Sequence, residues 1–218
     1  MLKKEEIKKI DYWFYFFILF LAIVTLPSLN NFYELNWDES VYVQTSKYLT
    51  SGGKHGLLEN LRPIGYPIFL IVAKPFGYNI SVIRLISFFL AIIVIVFFKK
   101  IFKIILDACN TNKNNNTLSS LTAIAVFLFP EFYKEGIGIL AEIPAMAFFT
   151  VGFYFFIKEI SIKQKHFNFN LFFSGIFITV AFQMRFLYGI YILIFFFILA
   201  ISFFSRKHKH ESINRHFM

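Results

Sequence analysis

Long apolar runs separated by short polar segments set the pattern of this chain. Residues 12–29, 80–98, 118–133 and 143–157 form such runs, and several approach the roughly 18 apolar residues that mark a membrane-crossing helix. Residues 171–204 form a longer one, which as a single helix would reach about 50 Å at ~1.5 Å per residue. That exceeds a hydrocarbon core of ~30 Å. The polar break Gln183-Met184-Arg185 divides it into helices at 171–184 and 186–204, with Arg185 at the turn. The pattern predicts an all-α, polytopic integral membrane protein, a single transmembrane domain over 1–218 with about six crossings.

The segments between the runs sort by charge. Lys3, Lys4, Lys8 and Lys9 head the chain, Lys99, Lys100 and Lys103 follow the second run, and Lys158, Lys163 and Lys165 follow the fourth. Arg206, Lys207 and Lys209 lie in the tail. Acidic residues fall in the alternate segments: Asp38 and Glu39 in the 30–79 loop, then Glu131, Glu135 and Glu142. Positively charged loops stay in the cytoplasm, so both termini are expected there and the 30–79 loop outside, in a cell membrane. Within that loop, Val41, Tyr42, Thr45 and Leu49 recur at helical spacing, predicting a surface-lying amphipathic helix that ends at Ser51-Gly52-Gly53. Residues 64–76 are apolar but short, with prolines and Lys74, and read as a re-entrant or interfacial piece. The Asn-rich loop 107–117 carries no core of its own.

Composition agrees with that reading. Hydrophobic residues make up 57% of the chain and charged residues 16%, and the mean hydropathy is +0.62. This is too little charge to cover a soluble surface. The net charge of +9 is spread over separate loops rather than gathered in one patch, which argues against a nucleic-acid partner. The single cysteine, Cys109, excludes an internal disulfide, and the histidines lack metal-ligand spacing.

The candidate chemistry lies on the outer side. The topology collects Asp38, Glu39, Arg62, Glu142 and Arg185 there. A carboxylate at a membrane boundary can act as general base towards a hydroxyl or amine, and an arginine can hold a phosphate through paired hydrogen bonds. Each residue also has a structural reading: Asp38 as a helix N-cap, Glu142 as a solvated charge before Pro144, Arg185 as a snorkelling side chain. Asn79-Ile80-Ser81 matches a glycosylation acceptor pattern.

The ordered set Trp37-Asp38-Glu39, then Arg62-Pro63-Ile64-Gly65-Tyr66-Pro67, then Glu142-Ile143-Pro144, then Gly175 through Arg185 resembles the membrane glycosyltransferases of the GT-C superfold. It is most similar to the branch of protein O-mannosyltransferases and the lipid A aminoarabinose transferase. The likeness covers most of 12–204, and the members run longer, so the chain corresponds to their N-terminal module. The resemblance implies a sugar donor on a polyprenyl phosphate and a protein, lipid or glycan acceptor, with inversion at the anomeric carbon. It implies Asp38 as base, Arg62 and Arg185 on the departing lipid phosphate, and Glu39 and Glu142 orienting acceptor or base. No cofactor is certain, and some members use a divalent metal, for which Asp38, Glu39 or Glu142 would be the ligands. Two other classes stay open: a non-catalytic or truncated membrane subunit, and a transporter, against which the charges lie in loops rather than mid-span.

Overall fold

The computed structural model describes residues 2–30, 35–109, 114–161, 169–194 and 196–198, with side chains from residue 12 onward. Most of the described residues are helical, and none of them forms a strand. In chain order the α-helices are α1 (Leu2–Thr25), α2 (Trp37–Thr50), α3 (Gly65–Phe69), α4 (Ile80–Ala108), α5 (Asn115–Leu128), α6 (Pro130–Ile137), α7 (Glu142–Ser161) and α8 (Phe169–Met184). Tighter 3-10 turns occupy Leu26–Asn30, Leu70–Phe76 and Phe186–Tyr188.

Two helices are long and apolar enough to cross a membrane: Ile80–Ala108, with 29 residues, and Glu142–Ser161, with 20. The other apolar helical stretches are shorter, at Tyr12–Thr25, Gly65–Phe76, Phe169–Met184 and Phe186–Ile198. The run expected to cross at 118–133 is not one helix. It breaks at Phe129, whose ψ of 120° is extended, because the ring of Pro130 disfavours helical geometry in the residue before it. Pro130 then opens α6, where its missing N–H is no loss. The α5 helix alone spans only about 21 Å. The break expected at 183–185 is present: α8 stops at Met184, and Arg185 is extended with φ −150° and ψ 117°. The part of the 186–204 run beyond Ile198 and the basic tail lie outside the described residues.

The connections bring one end of the bundle together. Thr25 and Tyr133 join α1 to α6 through their hydroxyls at 3.4 Å. Arg84, near the start of α4, donates to the Leu29 carbonyl at 3.5 Å. Here α2 lies across this end with Trp37 and Asp38 exposed and Val41, Tyr42 and Thr45 on its buried face. Tyr42 and Val43 are buried with Tyr66, Leu70, Ile83, Ile139 and Met184 in a core that caps the bundle. Tyr66 is fully buried, its ring edge-on to Tyr42 at 4.9 Å. A second core of Phe14, Phe88, Ile95, Phe127 and Ile143 runs down between α1, α4, α5 and α7. At the opposite end, Lys99 lies 4.3 Å over the Phe14 ring and Lys100 4.6 Å over the Phe97 ring.

The outside of the bundle is as apolar as its inside. Along α1, Phe14, Ile18 and Thr25 are buried while Trp13, Phe16, Phe20 and Ile23 are exposed. Helices that are apolar all round belong to large cores or to membranes. Asn79 accepts the backbone N–H groups of Ser81 and Val82, which makes it the N-cap of α4 and accounts for its place before Ser81.

Two glycines separate close contact from open space. A Cβ at Gly65 would stand 2.3 Å from the Gln183 carbonyl oxygen, whereas one at Gly175 would meet nothing within 4 Å. Gly65→Ala is therefore expected to destabilise the protein by about 1–3 kcal/mol. Gly175→Ala, inside a helix, should stabilise it by about 0.5–1 kcal/mol. Thermal unfolding of the purified variants checks both, and equal effects would show that α3 does not press on the end of α8.

Candidate functional site

The five residues singled out in the sequence all lie at the end capped by α2, but they divide into three arrangements. Asn36 is the N-cap of α2, and Glu39, three residues on, reaches back to it: Glu39 Oε2 accepts the Asn36 N–H at 2.9 Å. Its other oxygen accepts the Ile139 N–H at 2.8 Å, across 100 positions of sequence. Glu39 is only 3% exposed, and both its oxygens are held by backbone amides. It thus ties α2 to the connection between α6 and α7. The N-cap considered for Asp38 belongs to Asn36.

Asp38 is the next residue round the helix and points outward, with its side chain 54% exposed. Its Oδ1 accepts from Arg62 Nη2 at 2.6 Å. Arg62 also donates from Nε to Glu59 at 3.0 Å, and its guanidinium lies 5.2 Å over the Tyr42 ring. The hydrogen bond to Asp38 holds the guanidinium pKa above its ordinary value, so Arg62 is a fixed cation.

Glu142 opens α7 and is ion-paired through Oε1 with Arg185 Nη1, while its Oε2 is buried without a hydrogen-bond partner. Gly65 sits on the Gln183 backbone, so the turn beginning at Arg62 and the break ending at Arg185 abut. The Asp38–Arg62 and Glu142–Arg185 pairs thus flank one small end region and share no atom. Both arginines considered for phosphate binding already have carboxylate partners. Asp38 faces Arg62 and Glu39 faces backbone amides, and among the described residues no group of three or more His, Cys, Asp or Glu could hold a metal ion.

Sequence reasoning gave no role to two residues here, Arg84, which it did not name, and Glu135, which it named only as an outer acidic residue. Arg84 is 3% exposed and lines a cavity of about 150 Å³ with Glu39, Lys134 and Glu135. A cation inside an otherwise apolar run is the signal that could have found it. Glu135 has a buried, unpartnered Oε2, and burial, offset in part by Lys134, raises its pKa. A larger cleft of about 830 Å³ runs between α4, α5, α6 and α7, from Val94 and Phe98 up to Glu131, Glu135 and Glu142.

No protein-family model matches the chain, and no curated protein or solved structure matches it.

Glu39 and Asp38 should separate in mutants. Glu39→Gln places an amide N–H₂ against a buried backbone donor and is expected to lose about 1–3 kcal/mol, while Asp38→Asn, at an exposed pair, stays within about 1 kcal/mol. Chemical denaturation of both variants decides this. Similar losses would place Asp38 in the fold rather than on its surface.

The raised pKa of Glu135 means folding favours its protonated form, so its contribution is present at low pH and lost as pH rises through the folded value. Glu135→Gln should then unfold at a higher temperature than the parent at about pH 8. The difference should close at about pH 4, near the ordinary Glu value. A gap that widens on acidification would reverse the sign assigned to burial.

Proposed function

We propose that the chain is a polytopic membrane protein with about six crossings, both termini cytoplasmic, and that it transfers a sugar from a polyprenyl-phosphate donor to an acceptor on the outer face. Support for the orientation comes from the charge along the bundle. Lys99, Lys100 and Lys158 lie at one end against aromatic rings, and Asp38, Glu39, Glu59 and Glu142 gather at the other. Short helices such as α5 and α8 would cross by locally thinning the bilayer, with α6 and Phe186–Tyr188 lying at the interface.

The observation that carries the catalytic reading is the pairing of an exposed carboxylate, Asp38, with a fixed cation, beside a second pair containing Arg185. In this reading Asp38 accepts the proton of the acceptor hydroxyl or amine as its oxygen or nitrogen attacks the anomeric carbon. The bond from that carbon to the lipid phosphate oxygen breaks, its electron pair leaves with the phosphate, and configuration inverts. Arg185, 40% exposed, has N–H donors beyond the one given to Glu142. Those donors would receive the phosphate, and the exposed Phe186, Leu187 and Ile190 that follow offer an apolar face for the prenyl chain. Glu39 would act by holding α2, and with it Asp38, in place.

Reconstituted protein supplied with polyprenyl-phosphate sugars and a panel of acceptors tests this. Asp38→Asn should lower transfer by about 10²–10⁴-fold, the usual worth of a positioned base, with donor binding kept. Unchanged transfer would remove Asp38 from the chemistry. A second reading, a non-catalytic membrane subunit, is favoured by the carboxylate already held by each arginine. It predicts no transfer by the wild-type chain with any donor.

A further inference from the structure

Residues 64–76 present an apolar ridge that the proposed transfer reaction does not use. Tyr66, Leu70 and Ala73 are buried in the capping core. Ile64, Ile68, Val72 and Phe76, which recur at every fourth position, are exposed on the other side. The Phe69 ring is edge-on to Phe148 at 6.1 Å, and Phe148 lies about 9 Å along α7 from Glu142. Both α7 and α4, which starts at Ile80 just after the ridge, are long and apolar enough to cross a membrane. The ridge therefore stands beside the first turns of spanning helices, at the depth where acyl chains meet head groups.

The rim of the ridge is cationic. Lys74 is exposed and donates to the Thr50 carbonyl at 3.5 Å. Lys47 lies 5.9 Å over the Tyr78 ring, and Tyr78 meets Thr50 through their hydroxyls at 2.8 Å. The Gly53 N–H donates to the Tyr48 carbonyl at 2.9 Å, which keeps the exposed Lys54 at the same end of α2. The sequence has no Asp or Glu from Ser40 to Leu58 or from Asn60 to Leu106. Asp38 and Glu39 lie in the first turn of α2, at its far end, and Glu59 is held there by Arg62, the partner of Asp38. Lysines without a carboxylate beside them, around an apolar ridge, match the two parts of an anionic phospholipid. A second copy set ridge to ridge would instead bring like charges together. We propose that the 64–76 ridge lies among acyl chains and that Lys47, Lys54 and Lys74 hold anionic phospholipid head groups at its rim. This rests on the reading of the chain as a membrane protein, but neither on its orientation nor on the transfer reaction.

Cys109 is the single cysteine, so Cys109→Ser opens the full chain to site-specific labelling. A bimane on Val72→Cys, in phosphatidylcholine nanodiscs with a small fraction of nitroxide-labelled lipid, tests the assignment. The nitroxide sits on the acyl chain of either phosphatidylglycerol or phosphatidylcholine. Both lipids should quench the label. Phosphatidylglycerol should be enriched beside it by about fivefold or more, the factor one lysine near anionic lipid supplies. Lys54→Gln combined with Lys74→Gln should remove that excess and leave quenching by phosphatidylcholine unchanged. Labels on Phe20→Cys, at an exposed apolar site of α1, and on His55→Cys serve as the lipid and water references. Quenching at Phe20 with none at Val72 would overturn the ridge assignment and spare the membrane reading. No quenching at either would remove the membrane reading and the proposal with it. Protection of the Val72 label from lipid nitroxide and aqueous iodide alike would overturn it in favour of a second copy covering the ridge. Equal quenching by the two lipids, or an excess that survives the lysine substitutions, would strip the lysines of their part.

Discussion

The buried Glu39 carboxylate is the contact on which the site end depends. It accepts the N–H of Asn36, the N-cap of its own helix, and the Ile139 N–H from the segment leading into α7. A carboxylate accepting backbone amides makes charge-assisted bonds, roughly twice as strong as neutral ones. Replacing it would orphan two donors at once in a region closed to water. Because Ile139 lies three positions before Glu142, the same side chain that starts α2 also fixes where α7 begins. Asp38 and Glu142 are distant in sequence, and this one bridge sets both in register.

Much of the helical plan was legible in the sequence because its signals are local. Ser51-Gly52-Gly53 does end α2, and Pro130 and Arg185 do interrupt the apolar runs where the residue chemistry says they must. The sequence could not say which member of the acidic pair is buried. Adjacent residues on a helix point about 100° apart, and only the core beneath α2 decides that Glu39 turns inward and Asp38 outward. The same holds for Gly65. In sequence it is one residue of a proline-rich turn; in the fold it is the place where α3 touches the Gln183 backbone. The partnership of Glu142 with Arg185 was equally hidden, since each has an ordinary surface explanation when taken alone.

The exposed apolar faces and the paired charges belong to one physical problem. A bundle whose outside carries Trp13, Phe16, Phe20 and Ile23 has no gain in water from adding further polar groups mid-helix. Its ionisable residues are therefore found at the two ends. At the Lys99 end, Lys99, Lys100 and Lys158 lie over aromatic rings, an arrangement that suits a headgroup boundary. At the α2 end carboxylates and cations stand together, Asp38 and Glu59 on Arg62 and Glu142 on Arg185.

The two arginine pairs also bear on how such an end could work. An arginine that waits without a partner in a partly buried site carries an unfavourable desolvation, so Asp38 and Glu142 keep Arg62 and Arg185 in place when nothing is bound. That same pairing lowers the attraction each arginine has for an incoming phosphate, because part of the charge is already answered. An anion gains only by sharing the guanidinium or by displacing the carboxylate. Sharing suits Arg185, whose pair uses one oxygen of Glu142 and whose side chain is 40% exposed. Arg62 is held from two sides, by Asp38 and Glu59, and stacked on Tyr42. Its geometry orients Asp38 more than it invites a ligand. The site end is therefore asymmetric: one arginine is set to position a carboxylate, and the other is free enough to meet an anion.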